Sequence, residues 1–247
     1  MAFAIEAADL TKKFKDLTAV GQLNLKIPPG EIFGLVGPDG AGKTTTLRML
    51  STAMEQTAGE IKVLGLHNLH DEEKIRDRIG YMPQRFSLYG DLTVDENLNF
   101  FADLYRVPAA VRRQKRDELL AFTNLAPFTK RRGAQLSGGM QKKLALACNL
   151  IHTPEILFLD EPTTGVDPIS RREFWRILYG LSGVTIMVTT PYMDEAERCN
   201  RVGLIREGKL LICDTPPEVK RKVGAASLEE AFIKIVEGKE VYGCANV

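Results

Sequence analysis

The chain is poor in several features that would mark a specialised class of protein. Its four cysteines, Cys148, Cys199, Cys213 and Cys244, stand far apart without a C-x-x-C pair, and none of the three histidines, His67, His70 and His152, clusters with them. Neither a zinc site nor a disulfide framework is indicated, and the cysteines read as reduced thiols of a cytosolic protein. No stretch approaches the ~20 apolar residues of a membrane span, and the start, MAFAIEAADLTKKF, lacks a basic segment followed by a long apolar run. If such a protein serves a membrane, it does so from the cytosol. One-sided charge is missing too: 33 Lys and Arg face 32 Asp and Glu, so no whole-surface field draws in nucleic acid or acidic lipid. There is no internal repeat or low-complexity tract.

What is present suits one compact unit of two lobes: 247 residues, 44% hydrophobic and 26% charged. Residues Phe3 to Leu10 and Gly21 to Ile27 alternate apolar and polar side chains, which predicts half-buried strands of an antiparallel layer, with a turn at Pro28-Pro29-Gly30. Ile32 to Val36 is almost wholly apolar, as a central strand covered on both faces must be. A glycine loop follows, then a helix expected over Lys43 to Met54. Between Asp95 and Ile151 helical spacing dominates, in ENLNFFADLYRV and RDELLAFTNL, predicting a helical lobe. Strand patterns return at Ile156 to Leu159, Val184 to Val188, Val202 to Ile205 and Lys209 to Cys213. Strands alternating with helices argue for an α/β layer with a mainly parallel sheet. LEEAFIKIVEG, after Ser227, forms an amphipathic helix, and a tail without pattern ends the chain.

GPDGAGKT, from Gly37 to Thr44, fits G-x-x-x-x-G-K-[ST] and lies where the chemistry requires, after a buried strand and before a helix. Glycine backbones let consecutive N–H groups converge on phosphate oxygens at the helix N-terminus. The cradle runs through Gly37, Pro38, Asp39, Gly40, Ala41, Gly42, Lys43, Thr44 and Thr45; Lys43 neutralises the β- and γ-phosphates, and Thr44 offers Mg²⁺ a hydroxyl. A plain helix-capping turn does not require all these fixed positions. Ile156 to Glu161 supplies the expected partner, a hydrophobic strand ending in acids. Asp160 would hold Mg²⁺ through water, and Glu161 would act on the attacking water.

Further segments follow in the order of the ATP-binding cassette (ABC) family, and the resemblance covers almost the whole chain. Leu136-Ser137-Gly138-Gly139-Met140 resembles the family signature, a second anion-receiving helix N-terminus. In the family the signature closes over the γ-phosphate held by the facing cassette, so two ATP molecules are sandwiched in a head-to-tail dimer. Ser137, Gly138 and Gly139 are thereby implied as contacts to nucleotide across that dimer. Gln84 sits where the family has a glutamine that reaches Mg²⁺ and the attacking water. Arg85 to Leu92 is similar to the region that faces a transmembrane subunit, Phe14 to the aromatic that stacks on adenine, and Thr164 to Asp167 to the loop that signals across the dimer. The resemblance implies a P-loop NTPase core with a parallel sheet, an N-terminal antiparallel β layer and a helical lobe. Residues 1–84 and 156–224 would form the core, about 85–155 the lobe, and 225–247 a C-terminal helix and tail.

Two positions depart from the family pattern. Asp39 stands where Asn is common, placing an extra negative charge near the triphosphate and predicting weaker nucleotide binding. Pro191, in VTTPYMDEAERC, stands where the family has a histidine that contacts the γ-phosphate, and proline has no donor. The expectation is a site that binds Mg·ATP and hydrolyses it slowly, working opposite a second, preferably non-identical cassette. LTKKFKD, LSGGM, TTPYMDEAER and LEEAF are most similar to cassettes of multidrug-type exporters with compact membrane subunits, so the chain is expected to sit peripherally on the cytoplasmic face of the inner membrane. Two alternatives are a soluble cassette ATPase acting on ribosomes or DNA and an ATP-sensing module. The first usually carries long basic linkers or coiled-coil insertions, which are not seen here. The basic clusters Arg112 to Arg116 and Lys130 to Arg132 read as solvated helix faces, so no nucleic acid partner is expected.

Overall fold

The computed structural model describes residues 3–85, 87–238 and 243–244. Among these, two sheets are stacked and helices cover the remaining faces. The first sheet is antiparallel, in the order β2-β1-β4-β5, built from β1 (Ile5–Phe14), β2 (Leu17–Ile27), β4 (Ala58–Val63) and β5 (Leu66–His67). The second has the order β11-β10-β9-β3-β8-β7-β6, from β3 (Ile32–Val36), β6 (Ile79–Met82), β7 (Ile156–Asp160), β8 (Thr185–Thr190), β9 (Arg201–Arg206), β10 (Lys209–Asp214) and β11 (Gly243–Cys244). Pairing there is parallel except between β9 and β10, which form a hairpin.

Strand periodicity divides the interior into two cores. Phe33 and Leu35 of β3 and Ile156 and Phe158 of β7 face the antiparallel sheet, joining Leu10, Leu23, Leu25 and Ile61. Their neighbours Ile32, Val36, Leu157 and Leu159 face the other way and meet Leu144, Cys148, Phe174 and Trp175 from helices. Both faces of β3 and β7 are thus covered, which is why those strands read as unbroken apolar runs.

The helices are α1 (Lys43–Leu50), α2 (Glu72–Arg76), α3 (Val94–Leu104), α4 (Ala109–Phe122), α5 (Gly138–Leu150), α6 (Pro168–Tyr179), α7 (Met193–Ala196), α8 (Pro216–Val223) and α9 (Leu228–Gly238). Helices α3, α4 and α5 form the helical segment expected between Asp95 and Ile151. A full capping box starts α3, with Thr93 and Glu96 satisfying each other's backbone N–H groups. No helix among the described residues is long and apolar enough to cross a membrane.

Three sequence expectations need correction. Helix α1 stops at Leu50 instead of Met54: Thr52 is left-handed at φ 60°, and Ala53 and Met54 both donate to the Arg48 carbonyl. Met54 still packs against the core, so the apolar spacing outlasts the helix. Strands β1 and β2 run on to meet at an exposed hairpin, because bulges at Asp9 (φ 48°) and Gln22 (φ 51°) break the alternation that marked their ends. The antiparallel layer also recruits β4 and β5, whose short, mostly polar segments carried no strand signal. Of the cysteines, Cys148, Cys199 and Cys213 are buried, and burial pushes the Cys148 and Cys199 thiols up. The Cys244 side chain and the tail at 239–242 and 245–247 lie outside the described residues.

Candidate functional site

Four segments end at one edge of the parallel sheet: the loop after β3, the ends of β7 and β8, and the segment after β6. The loop after β3 begins against β8, where the Gly37 N–H meets the Thr190 carbonyl at 3.4 Å. A Cβ on Gly37 would lie 2.1 Å from the Ile205 carbonyl oxygen, so no other residue fits. The loop ends at Gly42, the N-cap of α1, with φ 102° and with Ala19 O 2.6 Å from any added Cβ. Those two constraints turn the chain tightly enough to aim the first amides of α1 into a cavity of about 510 Å³. The cavity is lined by Phe14, Leu17, Ala19, Asp39, Gly40, Gly42, Lys43, Thr44, Thr45, Gln84 and Glu161.

Lys43 is buried, its side chain only 3% exposed. Its ammonium donates to the carbonyls of Gly37 at 2.8 Å and Pro38 at 3.0 Å, and lies 3.2 Å from Glu161 Oε1. The other Glu161 oxygen accepts from Gln84 Nε2 at 2.8 Å and from the Thr164 hydroxyl at 3.3 Å. Glu161 itself is held in a left-handed conformation, φ 45°, by its N–H donating to the Thr189 carbonyl at 3.1 Å and hydroxyl at 3.0 Å. For a residue with a Cβ that conformation costs energy, and here it turns the carboxylate off the strand end toward Lys43. Asp160 Oδ1 accepts from the hydroxyls of Thr44 at 3.0 Å and Thr189 at 2.7 Å. The arrangement offers hard oxygen donors, Thr44 and Asp160, beside a buried cation and a row of amides, a set that suits Mg²⁺ with a polyphosphate.

The remaining expected residues divide between this cavity and other places. Phe14 lines it and is 44% exposed, with the Lys12 ammonium 5.3 Å from its ring centre. Asp39 lines it as well, with an almost fully exposed side chain 4.0 Å from Lys43 Nζ. Pro38 and Ala41 contribute backbone, Ala41 N–H donating to the Pro38 carbonyl at 3.2 Å. Ser137, Gly138, Gly139 and Asp167 do not join the cavity. Ser137 is the N-cap of α5, accepting from Met140 N–H at 3.4 Å, and Asp167 is the N-cap of α6, accepting from the Ile169 and Ser170 amides at 3.0 Å. Hydrogen bonds from Ser170 hold the Asp167 carboxyl below the usual range. Gly139 packs so close to Ser170 that an added Cβ would lie 2.7 Å away, which joins the start of α5 to the start of α6.

Sequence reasoning missed two participants. Thr189, which braces both Asp160 and Glu161, was hidden in a strand end, where a hydroxyl is the only clue. Lys142, on α5, donates to the Gln84 backbone carbonyl at 2.6 Å, and its burial lowers the ammonium pKa. It ties the helix that starts at Ser137 to the segment that carries Gln84.

The family model described as ABC transporter matches residues 20–164, which span the cavity's loop, Gln84, Ser137 to Gly139 and the two acids. The chain belongs to the ABC transporter family. This cassette is 44% identical over 239 residues to the probable multidrug ABC transporter ATP-binding protein YbhF of Escherichia coli (strain K12), covering 94% of the chain and 41% of that protein's length. It is 42% identical over 254 residues to the Nod factor export ATP-binding protein I of Paraburkholderia xenovorans (strain LB400), covering 97% of the chain and 84% of that protein. Among solved structures, the dimeric bacterial ABC transporter cassette MJ0796 superposes with a TM-score of 0.78 at 30% identity, covering 85% of this chain and 98% of that one. The chain is therefore an ABC cassette, and the fold expected from its motifs is the fold it has.

Proposed function

We propose that this cassette is the ATP-driven unit of an exporter: it binds Mg·ATP between its own P-loop and the signature of a facing cassette, and passes the closing movement to a separate transmembrane subunit. The observation that carries the reading is the convergence of Lys43, Glu161, Gln84 and Thr44 in one cavity, with Asp160 hydrogen-bonded to Thr44 behind it. The loop amides and Lys43 would take the β- and γ-phosphates, displacing Lys43 from the carbonyls that now satisfy it. Phe14 would stack on adenine. Thr44, Asp160 and Gln84 would hold Mg²⁺, which when bound neutralises developing charge on the phosphates. Glu161, released from Lys43, would take the proton of the attacking water.

The slow step lies at Pro191. It directly follows Thr190, whose carbonyl meets Gly37, so it borders the phosphate loop and brings no donor there. Its signature, Ser137 to Gly139, would instead complete a faster site on a non-identical partner cassette, supplied by another subunit or by another part of a longer polypeptide. Residues 1–84 and 156–224 act as the core, about 85–155 as the moving lobe, and the stretch from Arg85 to Leu92 as the contact to the membrane subunit. The cassette then works from the cytoplasmic face of the membrane. Support for export comes from the two relatives, whose names carry multidrug transport and Nod factor export.

The test is Pro191→His in the purified cassette. Steady-state ATP turnover should rise at least about tenfold, a conservative share of the roughly hundredfold or more that one positioned side chain contributes to proton transfer or charge stabilisation. Brisk turnover in the unaltered chain with no gain from the substitution would refute the slow-site reading, and failure to co-purify with any integral membrane protein would refute the transporter reading.

A further inference from the structure

Three carboxylates are buried among the described residues: Asp160, Glu161 and Glu195. Glu161 lines the phosphate cavity, and Asp160 is hydrogen-bonded to Thr44, which also lines it. Glu195 lies on α7, beyond Pro191, and does not line that cavity. Burying a carboxylate is costly unless both oxygens are used. Both are used here: Oε1 accepts the Thr163 hydroxyl and Oε2 accepts the Thr190 hydroxyl at 2.7 Å.

The two threonines come from different segments. Thr163 follows Glu161 by two positions, and Thr190 ends β8 immediately before Pro191. Thr190 Oγ1 also accepts the Tyr192 N–H at 3.1 Å, which fixes the turn that carries Pro191. Arg171, in the first turns of α6, brings its Nε to 3.5 Å from Glu195 Oε1, and its guanidinium lies 4.6 Å from the centre of the Tyr192 ring. One carboxylate therefore joins the loop after Glu161, the turn at Pro191 and the start of α6.

We propose that Glu195 is a positioning residue for ATP hydrolysis, locking the loop that carries Glu161 and the turn at Pro191 into one rigid unit. It acts through Thr163 and Thr190 and touches no reacting atom; the proposal rests on Glu161 acting as base. Phosphate binding depends on the loop amides and Lys43, which Glu195 does not touch. Turnover depends on sub-ångström placement of Glu161, which it does constrain. The two properties must therefore separate when the clamp is cut.

The experiment compares the purified cassette with Glu195→Gln, whose amide presents a donor to one of the two hydroxyl donors. Expected are a fall of about tenfold in kcat, a conservative share of what misplacement costs, with equilibrium ATP affinity and thermal midpoint near those of the parent. Thr163→Val should act in the same direction and Thr163→Ser should restore turnover, so that pair decides the matter if the glutamine variant does not fold. Unchanged kcat in Glu195→Gln, equal turnover of the Val and Ser variants, or a parallel loss of affinity, turnover and melting temperature would overturn the proposal. Combining Glu195→Gln with Pro191→His should erase the gain of the latter. A Pro191→His variant that gains nothing refutes the slow-site reading alone, since the comparison of Glu195→Gln with the parent stays readable.

Discussion

Two helices of this cassette begin at glycine-rich turns fit to receive an anion, and they differ in what surrounds them. At α1, the cavity brings its own cation: Lys43 is buried and engaged with two carbonyls and Glu161, and two acids stand alongside. At α5, Ser137 and Gly138 are exposed, Ser137 spends its hydroxyl on the cap, and nothing lies within 4 Å of a Cβ built on Gly138. The first site is furnished from within one chain. The second is a donor surface with no wall opposite, and under the proposed function its use requires another molecule. Both are linked inside the chain by Lys142, which runs from α5 to the Gln84 carbonyl.

The comparison breaks most severely at Lys43. Lys43→Ala removes the cation and leaves Glu161 buried beside carbonyls, so equilibrium titration should show ATP affinity falling about a hundredfold or more, with a lower thermal midpoint. Gly138→Asp sharpens it: the open position accepts the side chain, the negative charge faces any incoming phosphate, and ATP affinity of the isolated chain should stay unchanged. In an assembly with its partner cassette, turnover should drop about tenfold. If the isolated chain lost affinity as well, the separation of the two ends would be wrong.

The smallest effect concerns the seam between the helical segment and the parallel sheet, where His152 lies against the end of α3 and β6. His152 stacks on Tyr105 at 3.7 Å, its Nε2 lies 2.9 Å from the Ile79 carbonyl, and burial holds its pKa below the usual imidazole value. A histidine depressed in the folded state stays neutral while the unfolded chain protonates, so stability is lost as pH falls through about 6.5, the unfolded value. Urea midpoints measured from pH 7.5 downward should fall less steeply for His152→Gln than for the parent; an identical slope would show that His152 is not the group responsible.

Much of this was legible beforehand because it is local. A P-loop is nine consecutive residues between a buried strand and a helix, and the order of Gln84, Ser137 to Gly139, Asp160 and Glu161 can be read from spacing and resemblance. The end of α1 was misjudged because Met54 keeps apolar spacing after the backbone has turned, and β4 and β5 were missed because a polar segment at a sheet edge has no period to detect. Thr189 and Glu195 gave no signal because their partners are supplied by other segments.

The sequence by itself determined a glycine-rich P-loop motif, a strand ending in two acids, and a proline where a donor is expected, since each is set by side-chain chemistry and short-range backbone freedom. Only the tertiary structure decided which of these meet. Thr44 and Asp160 are 116 residues apart, and Gln84 and Glu161 are 77 apart, yet each pair is hydrogen-bonded because parallel strands bring their ends to one edge of the sheet. That packing also decided that Ser137 and Asp167 stay out of the cavity, and that a buried Glu195 holds the two loops beside it in register.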